Sequence, residues 1–244
     1  MADASETALA GAQSLDDQHE AAAERAERAL AAATQSSLNN QLHDAAALGD
    51  VAALRAALAA GADVDARRAG GISRTPLARV VNPSMFISDE GRTACVRALL
   101  LAGASPSAPI THAGGSRWMP LHEAAFLGLY TVCRLLLDAG ADVNVRSTDS
   151  LNDTPLHCAA ALNRRGNQKV TALFLSRGAV DSPSVDPRSG SPYLQKVRAA
   201  GSFATYEKQH RVKLVAMLAP KFAHLLPPEL VSVVITFWAP VGLH

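Results

Sequence analysis

MPLHEAAFLGLYTVCRLLLDAGADVN, residues 119–144, holds two short helical runs, a glycine between them (Gly128) and another after them (Gly140). Pro120 stands where a helix starts, since a first-turn proline forfeits no intrahelical bond. Gly128 and Gly140 stand where helices stop, because a left-handed terminal residue favours glycine. No cluster of charges marks the stretch as a reactive centre. The same design recurs as NQLHDAAALGDVAALRAALAAGADVD from Asn40 and TPLHCAAALNRRGNQKVTALFLSRGAVD from Thr154. A looser copy, TPLARVVNPSMFISDEGRTACVRALLLAGAS, begins at Thr75. Leu42, Leu77, Leu121 and Leu156 anchor the copies at spacings of 35, 44 and 35 residues, so one interval carries an insertion. A period of this size marks stacked supersecondary units, each too small to bury its apolar face alone.

Each position in the unit has a physical reason. Thr75 and Thr154 occupy N-cap positions, each followed by proline (Pro76, Pro155). The pairs Ala45–Ala46, Ala124–Ala125 and Ala159–Ala160 lack bulk, which lets neighbouring helices approach. Gly49 and Gly128 end first helices, and Gly61, Gly103, Gly140 and Gly178 end second ones. Leucine triplets such as Leu135–Leu137 are expected to fill the layer between units, with Leu42, Leu121, Leu135, Leu136, Leu156, Leu173 and Leu175 largely buried.

The motif T-P-L-H-x-A-A, a short second helix and then G-A-D-V-N resembles the ankyrin repeat. Four copies cover residues 40–185, and the third matches almost position for position. The resemblance implies an all-α solenoid of helix-turn-helix units with flanking capping helices. It also implies a non-enzymatic module that binds one or more proteins on its concave face. Carried onto this sequence, that face takes in Arg67, Arg68, Arg74, Arg117 and Trp118, then Glu123, Phe126, Arg146, Asp149 and Leu151. Trp118 is the strongest single choice, since tryptophan and arginine dominate interface energetics.

Composition agrees with stacked helices. Of 244 residues, 48% are hydrophobic but only 5% aromatic, a mixture that suits close-packed helices better than a β-sandwich. A net charge of +1 gives no global attraction to nucleic acid or an anionic membrane. Cys95, Cys133 and Cys158 lack metal-ligand spacing and fit a reducing compartment. The N-terminus lacks the basic and apolar regions of a secretory signal, and LVSVVITFW is too short to span a bilayer. The expectation is a monomeric cytoplasmic or nuclear protein with no membrane, nucleic-acid or cofactor requirement.

His43, His122 and His157 are candidate metal or catalytic groups at first sight. They share one position in the unit, however, and a catalytic or metal site needs different partners converging. In the ankyrin repeat this histidine serves the local turn. No phosphate-cradling glycine loop, nucleophile elbow, paired-cysteine site or H-E-x-x-H is present, so no catalytic or metal residue is assigned. Two copies depart from the pattern. The second has Ala78 in place of histidine and inserts NPSMFISDE between its helices. The fourth inserts Arg164–Arg165–Gly166 and has Asn163 where others turn on glycine.

The flanks complete the organisation. Residues 1–39 read as a disordered start (1–13) and an alanine-rich helix capped at Ser14. Residues 186–221 keep a ghost of the unit, with Ser191-Pro192-Tyr193-Leu194 where T-P-L-H would stand, and read as a degenerate fifth repeat or cap. In residues 222–244, Pro227 and Pro228 open a helix with Glu229 in its first turn. The pattern L-P-x-E-L-x-x-x-[IV]-[IL]-x-[FY] there resembles the first helix of an F-box and the tail of some ankyrin-repeat ubiquitin-ligase adaptors. That resemblance implies docking on a cullin-ligase adaptor through Leu226, Pro227, Leu230, Val231, Val234 and Trp238, making the chain a substrate receptor. The alternative is a closing helix packed on Leu214, Val215 and Leu218.

Overall fold

Leu42, Leu77, Leu121 and Leu156 are fully buried, and a line of helix pairs is built around them. The computed structural model describes the backbone of residues 3–68, 73–82, 87–111, 117–149, 152–161, 165–181 and 192–222, together with Leu230 and Val233. The first pair is α1 (Asp3–Leu48) and α2 (Val51–Ala59), the second α3 (Pro76–Val81) and α4 (Asp89–Leu101). The third is α5 (Pro120–Leu127) and α6 (Tyr130–Asp138), the fourth α7 (Pro155–Ala161) and α8 (Arg165–Ser176). A further pair, α9 (Pro192–Ala199) and α10 (Phe203–Phe222), follows. First helices touch first helices and second helices touch second helices, giving two layers. The only sheet among the described residues is β1 (Ile110–Thr111) against β2 (Arg117–Trp118), antiparallel, with Ile110 opposite Trp118. The architecture is the all-α solenoid expected from the repeats.

One apolar core runs without a break from Leu42 to Phe174. Leu136 and Leu173 lie inside it, but Leu135 and Leu175 are only half-buried, against expectation. Successive helical residues point about 100° apart, so of a triplet such as Leu135–Leu137 one side chain faces the core and its neighbours reach the rim. All four second helices close alike. Gly61, Gly103, Gly140 and Gly178 have φ of 93°, 90°, 92° and 84°. The next alanine N–H then donates five residues back, Ala62 to Ala57, Ala104 to Leu99, Ala141 to Leu136 and Ala179 to Phe174.

First helices close in two ways. In units one and three Gly49 and Gly128 turn the chain with φ of 72°. In unit two α3 ends at Asn82 with φ −58°, and the buried Arg92 of α4 donates Nη1 to the carbonyls of Val80 and Asn82. In unit four the buried Asn167 of α8 donates Nδ2 to the Ala159 carbonyl at 2.8 Å. Both side chains satisfy carbonyls that a helix end leaves without partners. The insertion in unit two also packs backwards: a Cβ on Gly49 would lie 2.4 Å from Ile87 Cγ2.

Helix starts follow the sequence less uniformly. Thr75 Oγ1 accepts from Ala78 N–H at 3.3 Å, as a cap should. Thr154 Oγ1 has no partner among the described residues; there Thr154 N–H donates to His157 Nδ1 at 3.1 Å instead. α1 differs most from expectation. It is one helix from Asp3, so Ser14 lies inside it and the border at residue 39 falls mid-helix. Alanine, glutamate and arginine favour helix, and no proline interrupts them. Gln35 Nε2 donates to the Gly61 carbonyl at 3.0 Å, and Asn39 Oδ1 accepts from Asp63 N–H at 2.9 Å. Asn144 does the same for Gly178 and Val180 between units three and four. α1 therefore caps the first turn with bonds that a preceding unit would supply.

At the other end Tyr193, Leu194, Val197 and Leu214 are buried, and Tyr193 and Val197 pack on Ala172 and Leu175 of α8. Arg198 grips Asp181 with two bonds of 2.5 and 2.8 Å, and Gly201 (φ 83°) ends α9 as Gly49 and Gly128 end theirs. No helix among the described residues is long and apolar enough to cross a membrane.

Candidate functional site

The extended segments between helix pairs meet edge to edge. Ser73 and Thr111 exchange two backbone bonds of 3.2 Å, and Thr111 stands opposite Arg117. Thr148 N–H donates to the Arg117 carbonyl at 3.2 Å, and Arg117 N–H donates to Thr148 Oγ1 at 3.0 Å. Ser73, Thr111, Arg117 and Thr148 thus form one ladder across three successive units. With neighbouring strands about 4.8 Å apart, its three steps span roughly 14 Å.

This ladder sorts the residues expected on the binding face. Arg67, Arg68, Arg117 and Arg146 are exposed on it or beside it. Arg68 pairs with Asp44 at 2.7 Å, Arg67 reaches Ser73 Oγ at 3.4 Å, and Arg146 donates to the Asn152 carbonyl at 3.1 Å. Arg74 and Glu123 are not on the surface. They are buried together, with Arg74 Nη1 at 2.7 and 2.8 Å from the two Glu123 oxygens. Each cancels the other's charge, which is the condition for burying either. The pair also joins unit two to unit three, at the unit where Ala78 replaces histidine.

Trp118 does not project freely. Its indole Nε1 donates to Asp149 Oδ2 at 2.8 Å, and its ring stands edge-on to Phe126 (6.4 Å) and tilted against His122 (5.8 Å). A half-buried indole needs a partner for its N–H, and Asp149 of the next hairpin supplies one. Asp149 Oδ1 accepts from Ser147 hydroxyl and Asn152 N–H. Leu151 lies outside the described residues. So do Leu226, Pro227, Val231, Val234 and Trp238 of the tail; Leu230 is 48% exposed and Val233 62%.

The histidines serve turns. His122 Nδ1 accepts from Met119 N–H at 3.1 Å while Nε2 lies 3.0 Å from the Asp153 carbonyl, an arrangement that needs the neutral Nε2–H tautomer. His43 Nε2 bonds the Ala66 carbonyl at 2.9 Å. Burial lowers all three histidine pKa values, the backbone bonds of His43 and His122 and the carboxylate near His157 only partly opposing it. Burial likewise raises the thiols: Cys158 is pushed up to about 12, and Cys95 and Cys133 also rise. Thiols held protonated in this way are poor nucleophiles.

Arg79, half-buried near His43, is absent from the residues expected on the face. It occupies the same position in its unit as Asp44, Glu123 and Cys158, and that column was the signal available. Arg68 and Arg79 both lie close enough to His43 to help depress its pKa.

A family model for ankyrin repeats in three copies matches residues 42–147 and 84–186, together more than half of the chain. The chain belongs to the ankyrin-repeat family. It is 43% identical over 72 residues to the fruit-fly ankyrin repeat and KH domain-containing protein mask. Over 90 residues it is 38% identical to the Arabidopsis thaliana E3 ubiquitin-protein ligase KEG and 39% identical to human ankyrin repeat and KH domain-containing protein 1. These matches cover 30, 37 and 37% of this chain but only 2, 5 and 3% of those proteins. The chain thus spans only a small part of those proteins' length, and its ankyrin repeats mark it as a protein-interaction module.

Proposed function

We propose that this ankyrin stack binds a partner protein across the hairpin ladder and the adjoining exposed side of the first helices. The observation that carries the proposal is the ladder itself. Backbone bonds join Ser73, Thr111, Arg117 and Thr148 in one strip, with Arg67, Arg117 and Arg146 on it or beside it. A backbone ordered before binding loses little entropy on binding. The half-buried pair Trp118 and Phe126 lies beside Arg117 and supplies apolar area. Trp118 contributes as a braced wall of this surface, its ring already held by Asp149. Quantitative affinity capture with the full chain and with Arg117→Ala/Phe126→Ala tests this. Partners that bind the ladder drop out of the variant's set; an unchanged set in a variant of unchanged helicity contradicts the proposal.

A second reading, a substrate receptor for a cullin-RING ubiquitin ligase, is favoured by exposed apolar residues in the tail. Leu230 and Val233 keep about half or more of their surface in solvent. Leu230 closes the motif L-P-P-E-L at residues 226–230. Val234→Asp separates the cases. A docking tail loses adaptor binding at unchanged melting temperature, whereas a closing helix loses stability, because an unpaired charge becomes buried.

A further inference from the structure

The binding face has a definite charge, and it is carried by arginine. We infer that the segment it takes from its partner is an acidic stretch of polypeptide in extended form. The inference rests on the ladder being the face that partners use.

The hairpin segments 66–74 and 108–118 hold Arg67, Arg68, Arg74 and Arg117 and no carboxylate; 145–153 holds Arg146 with Asp149 and Asp153. The carboxylates around the ladder are already engaged. Glu123 is buried on Arg74, Asp44 is paired with Arg68, and Asp149 holds the Trp118 indole and Ser147 hydroxyl. The Asp153 side chain is 24% exposed and sits 3.6 Å from His157. Of the arginines in these segments, Arg67, Arg117 and Arg146 have no acid within ion-pair distance among the described residues. Arg67 and Arg146 touch neutral oxygens only.

The ladder fixes where these charges stand. Arg67 bonds Ser73 at one end of the ladder, Arg117 is the third residue in it, and Arg146 is two residues from Thr148 at the other end. Extended chain rises about 3.3 Å per residue, so four or five residues cover the roughly 14 Å strip. Carboxylates on such a segment would meet guanidiniums that otherwise repel one another, and a strip of one sign also speeds encounter with the opposite one. Single-stranded nucleic acid fits less well. It needs open aromatic faces for stacking, and Trp118 is packed against Phe126 and His122 with its N–H already bonded.

The test is a random-peptide phage library panned on the full chain, with clones rescreened on two variants. Arg67→Glu/Arg117→Glu/Arg146→Glu reverses the strip at exposed positions, and Arg67→Lys/Arg117→Lys/Arg146→Lys keeps its charge. The expected clones are rich in Asp and Glu. They lose roughly tenfold or more in affinity on the charge-reversed variant, retain most of it on the lysine variant, and weaken as salt rises. Neutral or basic clones that still depend on the three arginines would overturn the inference and leave the binding face standing. A library with no clone sensitive to the reversal would remove both. A single-stranded oligodeoxynucleotide that displaces the acidic peptides at lower concentration than the peptides themselves bind would reassign the strip to nucleic acid.

Discussion

Units one and three end their first helices on glycine, whereas units two and four end theirs beneath a buried side chain from the second helix. Gly49 and Gly128 turn the chain with left-handed backbone and need no help. Where the turn was lengthened, Arg92 and Asn167 reach back and bond the carbonyls of Val80, Asn82 and Ala159. The requirement is the same in all four units: a buried helix end must have its carbonyls satisfied. Glycine meets it with conformation, and Arg92 and Asn167 meet it with chemistry. In unit two the second solution brings in a full charge, that of Arg92. Burial lowers the Arg92 pKa, while the nearby charges of Asp89 and Glu123 support its charged form.

The largest effect is therefore expected at Glu123. Glu123→Ala leaves Arg74 without its bidentate partner and takes away a charge that supports Arg92. A loss of about 3–5 kcal/mol is expected from urea unfolding, the usual cost of breaking a buried pair. Replacing Arg74 and Glu123 together by methionine should cost much less than Glu123→Ala alone. Equal losses would show that packing, and not charge, holds that joint.

Next come the two reaching side chains. Arg92→Leu and Asn167→Leu should each lose about 1–3 kcal/mol, because buried carbonyls lose their donors. A melting temperature unchanged in either variant would mean that the inserted turns close by some other means. Glycine variants sharpen the contrast from the other side. Gly140→Val places a β-branched residue at φ 92° with open space around it, so the cost is backbone strain alone, about 1–3 kcal/mol. Gly49→Val should cost more, since its Cβ also meets Ile87.

The sequence disclosed what depends on local rules. The anchor leucines, the glycines after the second helices and the Thr75 cap each depend on neighbours within a few residues. The leucines and glycines recur in all four copies, whereas the cap bond of Thr75 is not repeated at Thr154. Arg74 and Glu123 were placed on the surface because the repeat register puts them there, and nothing local reveals that residues 49 apart neutralise each other. Arg92 was silent for the same reason: the carbonyls it serves belong to a turn that the regular repeat lacks. The bond from Trp118 to Asp149 depends on the next hairpin, which no single copy reveals. The continuous α1 was missed because Ser14 is a good cap in isolation, and the alanine-rich sequence around it outweighs that local choice.

The smallest effect is a pH dependence that units one, three and four share and unit two, with Ala78, does not. His43, His122 and His157 have folded-state pKa values below the ordinary 6.5. The unfolded chain therefore takes up protons first as pH falls. Stability should be full above about pH 6.5 and decline from there towards the lower folded-state values. His122→Ala should flatten that decline in urea unfolding followed from pH 7.5 to 5. A decline of undiminished steepness would place the titration elsewhere.

The binding face itself is tested most directly by hydrogen exchange on the full chain, alone and saturated with a captured partner or a selected peptide. An interface on the ladder predicts slowed exchange at the amides of 66–74, 108–118 and 145–153, with α2, α4, α6 and α8 unchanged. Slowing confined to those second helices, with the hairpin amides unaffected, would contradict it.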